Sequence, residues 1–459
     1  MGAFVPILMP ILKKLIIQFI VSAIASKIFG KKSNKGGRGS STSSGIMINS
    51  SGNNEPIPVS YGRQRLGGNR AFIDTSDGAG AAGTNFLNQV LILCEGEMGD
   101  IKKVYFQDKV IWDVTDGGTT DTSGVGTNGV RLQNFTTEGQ TYNIAHMAYY
   151  SGTNTQTVDT TLQTSIGAST WDNNRKLLGL AYLAMKLPWD EDYNGSAPEI
   201  TVEIAGKKIR AATNPIGSSS ASADQNPADV LLDYLTDTTY GKGIPDADID
   251  IASFASSRTY MSSRFEINGF LNTSEKLFDN VEEILQACNG ILTYTKSGKY
   301  KFTPRQQSES STFSFTEDNI VGEFNIQMTP KSSKFNKVEL TFNDSAKEYN
   351  DNLVIVNNGT YLTEDNNVEL LGKTETTLVS DATIAGNIAT WIMDNSRNQT
   401  TVEFTATHDA IDVEAGEIID ITHPVVGFTN KKFRVQQVTL TEEDTLQFLV
   451  TEYTSSIQI

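Results

Sequence analysis

Between Pro56 and Val114 apolar residues alternate with polar ones or run in short blocks bounded by Gly, Asn and Asp: PVSYG, RAFIDT, NQVLILCEG and IKKVYFQDKVIWDV. Short runs punctuated in this way predict strands rather than helices, with a small turn near Asp108 in the last of them. Glu55 to Thr75 combines a proline-set entry, an apolar strand, a Tyr-Gly-Arg corner and a Gly67-Gly68 turn. It reads as a β-hairpin in which the glycine pair supplies positive φ.

Asp116 to Gly139 is rich in Gly, Thr and Asp, has no period, and predicts a long surface loop. LLGLAYLAMKLPW (Leu177–Trp189) and EITVEIAGKKI (Glu199–Ile209) predict two more strands joined by an acidic loop at Asp190, Glu191 and Asp192. Asn226-Pro227 opens a helix, with an Asn cap and Pro at the first helical position. A second helix is expected from Glu275 to Asn289, capped by Ser274 and ended by Gly290, with Leu277, Phe278, Val281, Ile284, Leu285 and Cys288 on one face. ILTYTKSGKYKFTP follows as a hairpin turning at Ser297-Gly298. After residue 326 the pattern is all β, interrupted by one helix from Asp381 to Asn395. The fold class is therefore mainly β with a small α+β domain. The expected division is an apolar N-terminal helix over 1–30, a linker over 31–51, a β-domain over 52–210 with an insertion near 115–170, an α+β domain over 211–325, and further β-domains over 326–459.

The one strongly apolar segment is Met1 to Gly30, broken by Lys13 and Lys14 and barred from regular helix before about residue 9 by Pro6 and Pro10. Its apolar part, Leu15 to Ala25, is too short to span a bilayer. Three readings stand side by side: a secretory signal with an A-x-A-like site at Ala23 to Ala25, a membrane-seeking helix, and a helix covered by its own copies or another apolar partner. Lys31 to Ser51 has the composition of a flexible basic tether.

The formal charge of −17, from 54 acids against 37 lysines and arginines, argues against a protein that tracks phosphates. It suits either simple solubility or an acidic wall along which DNA slides without sticking. Cys94 ends an apolar strand and Cys288 lies on an apolar helix face, so both read as buried thiols in a reducing cytoplasm. No cofactor or metal is expected. His146, His408 and His423 are scattered, and Asp246, Asp248 and Asp250 start like a calcium loop but lack its glycine, so a capped turn is the simpler reading. Neither a P-loop, a Rossmann fingerprint nor G-x-S-x-G occurs, and nothing selects a pair of carboxylates for glycoside cleavage.

Four stretches resemble the tail tip attachment protein J family of long-tailed bacteriophages. They are IPVSYGRQRLGGNRAFID (57–74), NPADVLLDYLTDTTYGKGIPDADIDIASFAS (226–256), EKLFDNVEEILQACNGILTYTKSGKYKF (275–302) and AIDVEAGEIIDITHPVVGFTNKKFRVQQVTL (410–440). The second, with its Asn-Pro-Ala helix start, Leu-Thr and Tyr-Gly-x-Gly-Ile, is the most specific. The resemblance implies a non-enzymatic virion component: a central tail hub, similar to the baseplate hub of contractile tails. In that family β-barrel domains of a homotrimer form a pseudo-sixfold ring. It implies contacts with the distal tail protein, the tape measure protein and tail fibre or receptor-binding proteins. DNA would pass through the lumen without specific binding, and assembly would take place in the host cytoplasm. The chain lacks the long C-terminal extensions of the largest family members, which leaves receptor binding to separate proteins. Candidate protein-interaction residues are Leu15, Ile16, Phe19, Ile20 and Ile24 of the apolar segment, which is also the candidate for host-membrane contact, together with Tyr61 and Arg63 of the corner. Two rival readings are a tail-associated cell-wall hydrolase and a secreted β-rich adhesin.

Overall fold

The computed structural model describes residues 49–50, 56–77, 85–133, 144–188, 197–214, 221–306, 309–328, 330, 333–398, 400–441 and 443–455, with short strand pieces at 17–19, 136–137 and 140–141. The fold is mainly β, as the pattern predicts. Strands and helices are numbered below in chain order.

Two facing sheets build the first β unit. One holds β4 (Asn69–Asp77), β5 (Asn85–Glu95), β13 (Leu180–Pro188), β12 (His146–Ser151), β9 (Gly129–Leu132) and β8 (Thr120–Asp121), in that spatial order. The other holds β15 (Ala221–Ala223), β14 (Ile200–Arg210), β6 (Met98–Phe106) and β7 (Lys109–Asp113), with β3 (Arg63–Leu66) added to β14. Leu91, Leu93 and Leu183 of the first sheet meet Ile101, Val104, Trp112 and Val202 of the second in one buried cluster. The opposite face of β5 and β13 is covered as well: Val90, Tyr182 and Ala184 pack with Leu162 of helix α1 (Thr160–Ile166) and with Trp171. Burial on both faces explains why QVLILC is a continuous apolar run rather than an alternating one. The stretch expected as a bare loop over 116–139 contributes β8 and β9 to the sheet, too short and polar to show a period. It also supplies β10 (Thr136–Thr137), which pairs with β11 (Gln140–Thr141) just after it.

The second unit mixes helices α2 (Pro227–Thr236), α3 (Ile251–Met261) and α4 (Leu277–Ala287) with three sheets. These are the two-stranded pair β2 (Val59–Tyr61) with β16 (Gly269–Leu271), the hairpin β17 (Gly290–Tyr294) with β18 (Tyr300–Pro304), and the three-stranded β22 (Asn350–Asn357), β21 (Lys337–Asp344), β23 (Leu371–Glu375). A short helix α5 (Gly359–Glu364) follows β22, and α6 (Ala382–Asn395) packs on β21. One cluster runs through all of these, from Ile209 and Leu231 through Ile284 and Phe302 to Leu340 and Trp391. Asn226 caps α2 through Ala228 N–H with Pro227 in the first turn, as the sequence predicts, and Asp381 caps α6 at the start of the helix expected from Asp381 to Asn395. The start of α4 differs: Ser274 is not its cap, because Asn272 Oδ1 takes both the amide (2.9 Å) and the hydroxyl (2.7 Å) of Ser274 in a turn ahead of the helix. At its end Asn289, not Gly290, takes the left-handed conformation (φ 51). Gly290 is needed for space instead, since a Cβ there would lie 2.5 Å from the Phe302 ring.

The third unit is a curled sheet in the order β19 (Ser311–Phe315), β25 (Ile418–His423), β26 (Phe428–Leu440), β27 (Leu446–Glu452), β24 (Thr400–Ala406), β20 (Ile320–Met328). It rolls round Phe315, Phe404 and Phe448, whose ring centroids lie 4.9–5.4 Å apart. Its ends approach each other, with Phe324 of β20 4.6 Å from His423 of β25. Among the described ladders none joins β19 to β20. Strand β1 (Ile17–Phe19) adds to the free edge of β26, Ile17 opposite Thr439 and Phe19 opposite Gln437. These three residues are extended where the apolar pattern predicts helix. The ladder of β25 ends at Arg434, which leaves the far half of β26 an open edge that an isoleucine-rich stretch fits.

Charge is buried where helices α2 and α3 cross. Asp229, with no side-chain exposure, accepts from Arg258 Nε (2.7 Å) and from Ala212 N–H (2.6 Å). Burial nevertheless dominates and pushes its carboxyl up to about 6. A folded-state value above the unfolded one means the native state holds the proton more tightly between the two. This site's contribution to stability therefore falls as pH rises from about 4 to about 6. The thermal midpoint of Asp229→Asn relative to wild type should shift in the variant's favour on going from pH 5 to pH 8, as scanning calorimetry would record. A gap that moves the other way would show that the Arg258 contact outweighs burial.

Candidate functional site at the strand junction

The segment expected as a hairpin does something else. Its three strands do not pair with one another: β2 joins β16, β3 joins β14, and β4 joins β5. Within nineteen residues (59–77) the chain thus supplies three separate sheets. The turns are as the sequence reads, since Gly62 (φ 63) and Gly68 (φ 70) are both left-handed, although Gly67 is not. What the local signals leave open is the partner strand.

Gly62 makes the sharpest of these turns. A Cβ there would lie 2.2 Å from both Ile267 O and Asn268 Oδ1, so the backbones of the two units touch directly. Asn268 Oδ1 accepts from Arg63 N–H (2.8 Å), and Gly206 N–H donates to Gly62 O (2.6 Å). Gly206 is equally confined, a Cβ there lying 2.5 Å from Ser60 O. Such approaches admit only glycine.

Tyr61 and Arg63 flank this corner and part company. Tyr61 is wholly buried, and its hydroxyl donates to Asp233 Oδ2 (2.7 Å) on α2. It is therefore an interior fastening between units of one chain, and not the exposed contact residue that the sequence reading proposes. Arg63 is exposed. Phe19 lies in β1, while Leu15, Ile16, Ile20 and Ile24 lie outside the described residues, as does the acidic loop Asp190–Asp192.

Around Tyr61 stands a knot of charge that the sequence reading missed. Lys207 of β14 reaches Asp233 and Asp237, both at 3.3 Å, and also meets the Tyr240 hydroxyl. Tyr240 in turn donates to Asp233 (2.5 Å). Burial raises the Asp233 carboxyl despite Lys207, and burial followed by the Asp233 charge lifts the Tyr61 hydroxyl well above its ordinary range. A second fastening is Arg65, whose side chain is 1% exposed. It lies 3.8 Å over the Tyr105 ring, donates to Thr201 Oγ1 (2.7 Å), and pairs with Asp108 (2.5 Å) and Glu348 (3.2 Å). It spans from the first β unit to the turn between β21 and β22. A signal for the knot was present in the Tyr-Gly-x-Gly-Ile stretch. Tyr240 supplies the hydroxyl, Gly241 fits where a Cβ would lie 2.2 Å from Tyr234 O, and Gly243 is left-handed (φ 64).

Chemistry is sparse around this junction. Among the described residues no group of three or more His, Cys, Asp or Glu could hold a metal ion. Asp246–Asp248 form a single 3₁₀ turn, and Asp250 caps α3 through Ser253 N–H. His146 is spent on a buried pair with Asp159 (2.8 Å), which also caps α1. Cys94 and Cys288 are buried and unbridged, and burial pushes each thiol up to about 12. The arrangement is built to hold sheets together.

The chain is similar to several known proteins. Residues 278–438 match the family described as putative phage tail protein. The chain is 24% identical to the baseplate hub protein pb3 of Escherichia phage T5, over 88% of this chain and 48% of that protein, so it spans about half the length of that relative. In fold it is similar to a chain of the virion of a native gene transfer agent particle, with a TM-score of 0.66, 14% identity, and coverage of 94% of this chain and 90% of that one. The likeness to the virion chain establishes a shared fold.

The Gly62 contact is directly testable. Gly62→Ala should lower stability by about 3 kcal/mol or more, because left-handed strain adds to a collision with backbone. Gly117→Ala, also left-handed (φ 93) but with nothing within 4 Å, should lose only about 1 kcal/mol. Urea unfolding midpoints compare the two, and equal losses would refute the close approach.

Proposed function

We propose that three copies of this chain close into a ring that caps the distal end of a phage tail tube as its central hub. The observation that carries this reading is the sequence match to a baseplate hub protein along 88% of the chain, joined to a virion-component fold over 94% of it. The ring contacts the distal tail protein on one side and holds the end of the tape measure protein within. Tail fibre or receptor-binding proteins attach outside. At ejection it opens to pass the genome into the host. The charge of −17 suits such a passage, since an acidic wall repels the phosphate backbone. Assembly takes place in the host cytoplasm and the mature site is the virion tail tip.

The physical case for a ring is closure. Several sheets of this chain end in unpaired strands, and a cyclic assembly can satisfy them in a way a lone molecule cannot. Native mass spectrometry of the purified protein should give three times the 50.0 kDa of one chain. A mass of one chain at every concentration up to tens of micromolar, with no density for the chain at the tail tip of virions, would refute the proposal.

A further inference from the structure

Two strand edges stand out by their chemistry. In β20 the residues that follow Phe324 on its own face run off the end of the core. Phe324 is half-buried against Phe404, Ile326 is 38% exposed opposite buried Val402, and Met328 is 71% exposed opposite Thr400. Among the described residues β20 pairs only with β24; its other edge nears β25 at Phe324 but carries no ladder. In β22, Val354 and Val356 face the core, whereas Leu353 (46% exposed) and Ile355 (50%) project from the other side of the strand, opposite Thr341 and Glu339. Among the described residues β22 pairs only with β21, which leaves its other edge without a ladder.

Neither strand carries the charges that keep a solitary edge solitary. β20 holds one acid, Glu323, and β22 one acid, Asp351, with no lysine or arginine in either. Among the other described edge strands, β4 carries Arg70, Asp74 and Asp77 and β23 carries Lys373 and Glu375, while the uncharged β19 and β15 present no pair of exposed large apolar side chains. Apolar, uncharged free edges are templates for another strand.

We propose that the β20 edge of one copy docks on the β22 edge of the next, with Ile326 and Met328 seated against Leu353 and Ile355. This deepens the ring reading and rests on it. Three features select a second copy as the occupant. Each chain offers one edge of each kind, so head-to-tail contacts use both and leave neither exposed once the ring closes. Two chains of charge −17 repel, and contact is cheapest through surfaces that carry almost no charge. The exposed rows are also of matching length, two large apolar side chains each, spaced two residues apart along a strand.

A charge-exchange experiment tests this. Met328→Lys and Ile355→Glu change exposed residues, so the circular dichroism spectrum of each variant should stay at the wild-type value. Each single variant should weaken association at least tenfold, read by mass photometry over a dilution series. The double variant M328K/I355E should regain assembly, because lysine then meets glutamate at every contact, and added salt should weaken it again. Single variants that assemble like wild type would overturn the docking surface while leaving the ring intact. Singles that dissociate without rescue in the double variant would overturn the pairing of these two edges. A wild-type protein that is monomeric throughout would instead remove the ring itself.

Discussion

A backbone approach too close for any side chain but hydrogen organises this molecule. At Gly62 the chain turns against Ile267 and Asn268, and at Gly206 it passes Ser60, so strands β2 and β14 are locked to each other without intervening side chains. Everything downstream depends on that geometry. It lets β2, β3 and β4 leave the same short segment and enter three sheets, which makes one rigid piece of what would otherwise be beads on a string.

Polar fastenings reinforce the contact, at a cost. Lys207, Asp233, Asp237, Tyr61 and Tyr240 form a largely enclosed knot, and Arg65 is sunk among Tyr105, Thr201, Asp108 and Glu348. Buried ion pairs of this sort add little net stability, because desolvation offsets much of the Coulomb attraction; the raised Asp233 and Asp229 carboxyls record the same penalty. Their geometry, though, is satisfied in one arrangement only. A slip of β14 against α2 would strand a lysine and two carboxylates at once. Charge here specifies how the units sit.

How much of this was legible in the chain varies with the range of the interaction. Local devices read correctly: the Asn226-Pro227 start of α2, the Asp381–Asn395 span of α6, the turn at Asp108 and the left-handed Gly68. Devices with a close competitor were misplaced, as when Asn272 captured the groups of Ser274. Helix α3 gave no signal because only Phe254, Ser257 and Met261 of its eleven residues are buried, so no apolar stripe marks it. Strand partners were invisible altogether. The pairing of Val202 with Leu66 or of Gly269 with Tyr61 joins residues far apart in the chain, and a Gly-Gly turn between two strands favours a hairpin until tertiary pairing overrides it. Tyr61 was singled out for its place in a motif, yet its role became apparent only with Asp233 beside it.

Hydrogen–deuterium exchange on the intact protein bears most directly on the claim that this junction unifies the fold. The account predicts that amides of Val59–Leu66 exchange among the slowest in the chain and in step with those of Ile200–Gly206 and Gly269–Leu271, because none can open without the others. Exchange of Val59–Leu66 as fast as that of the exposed turn around Gly117, while the sheets on either side stay protected, would contradict it.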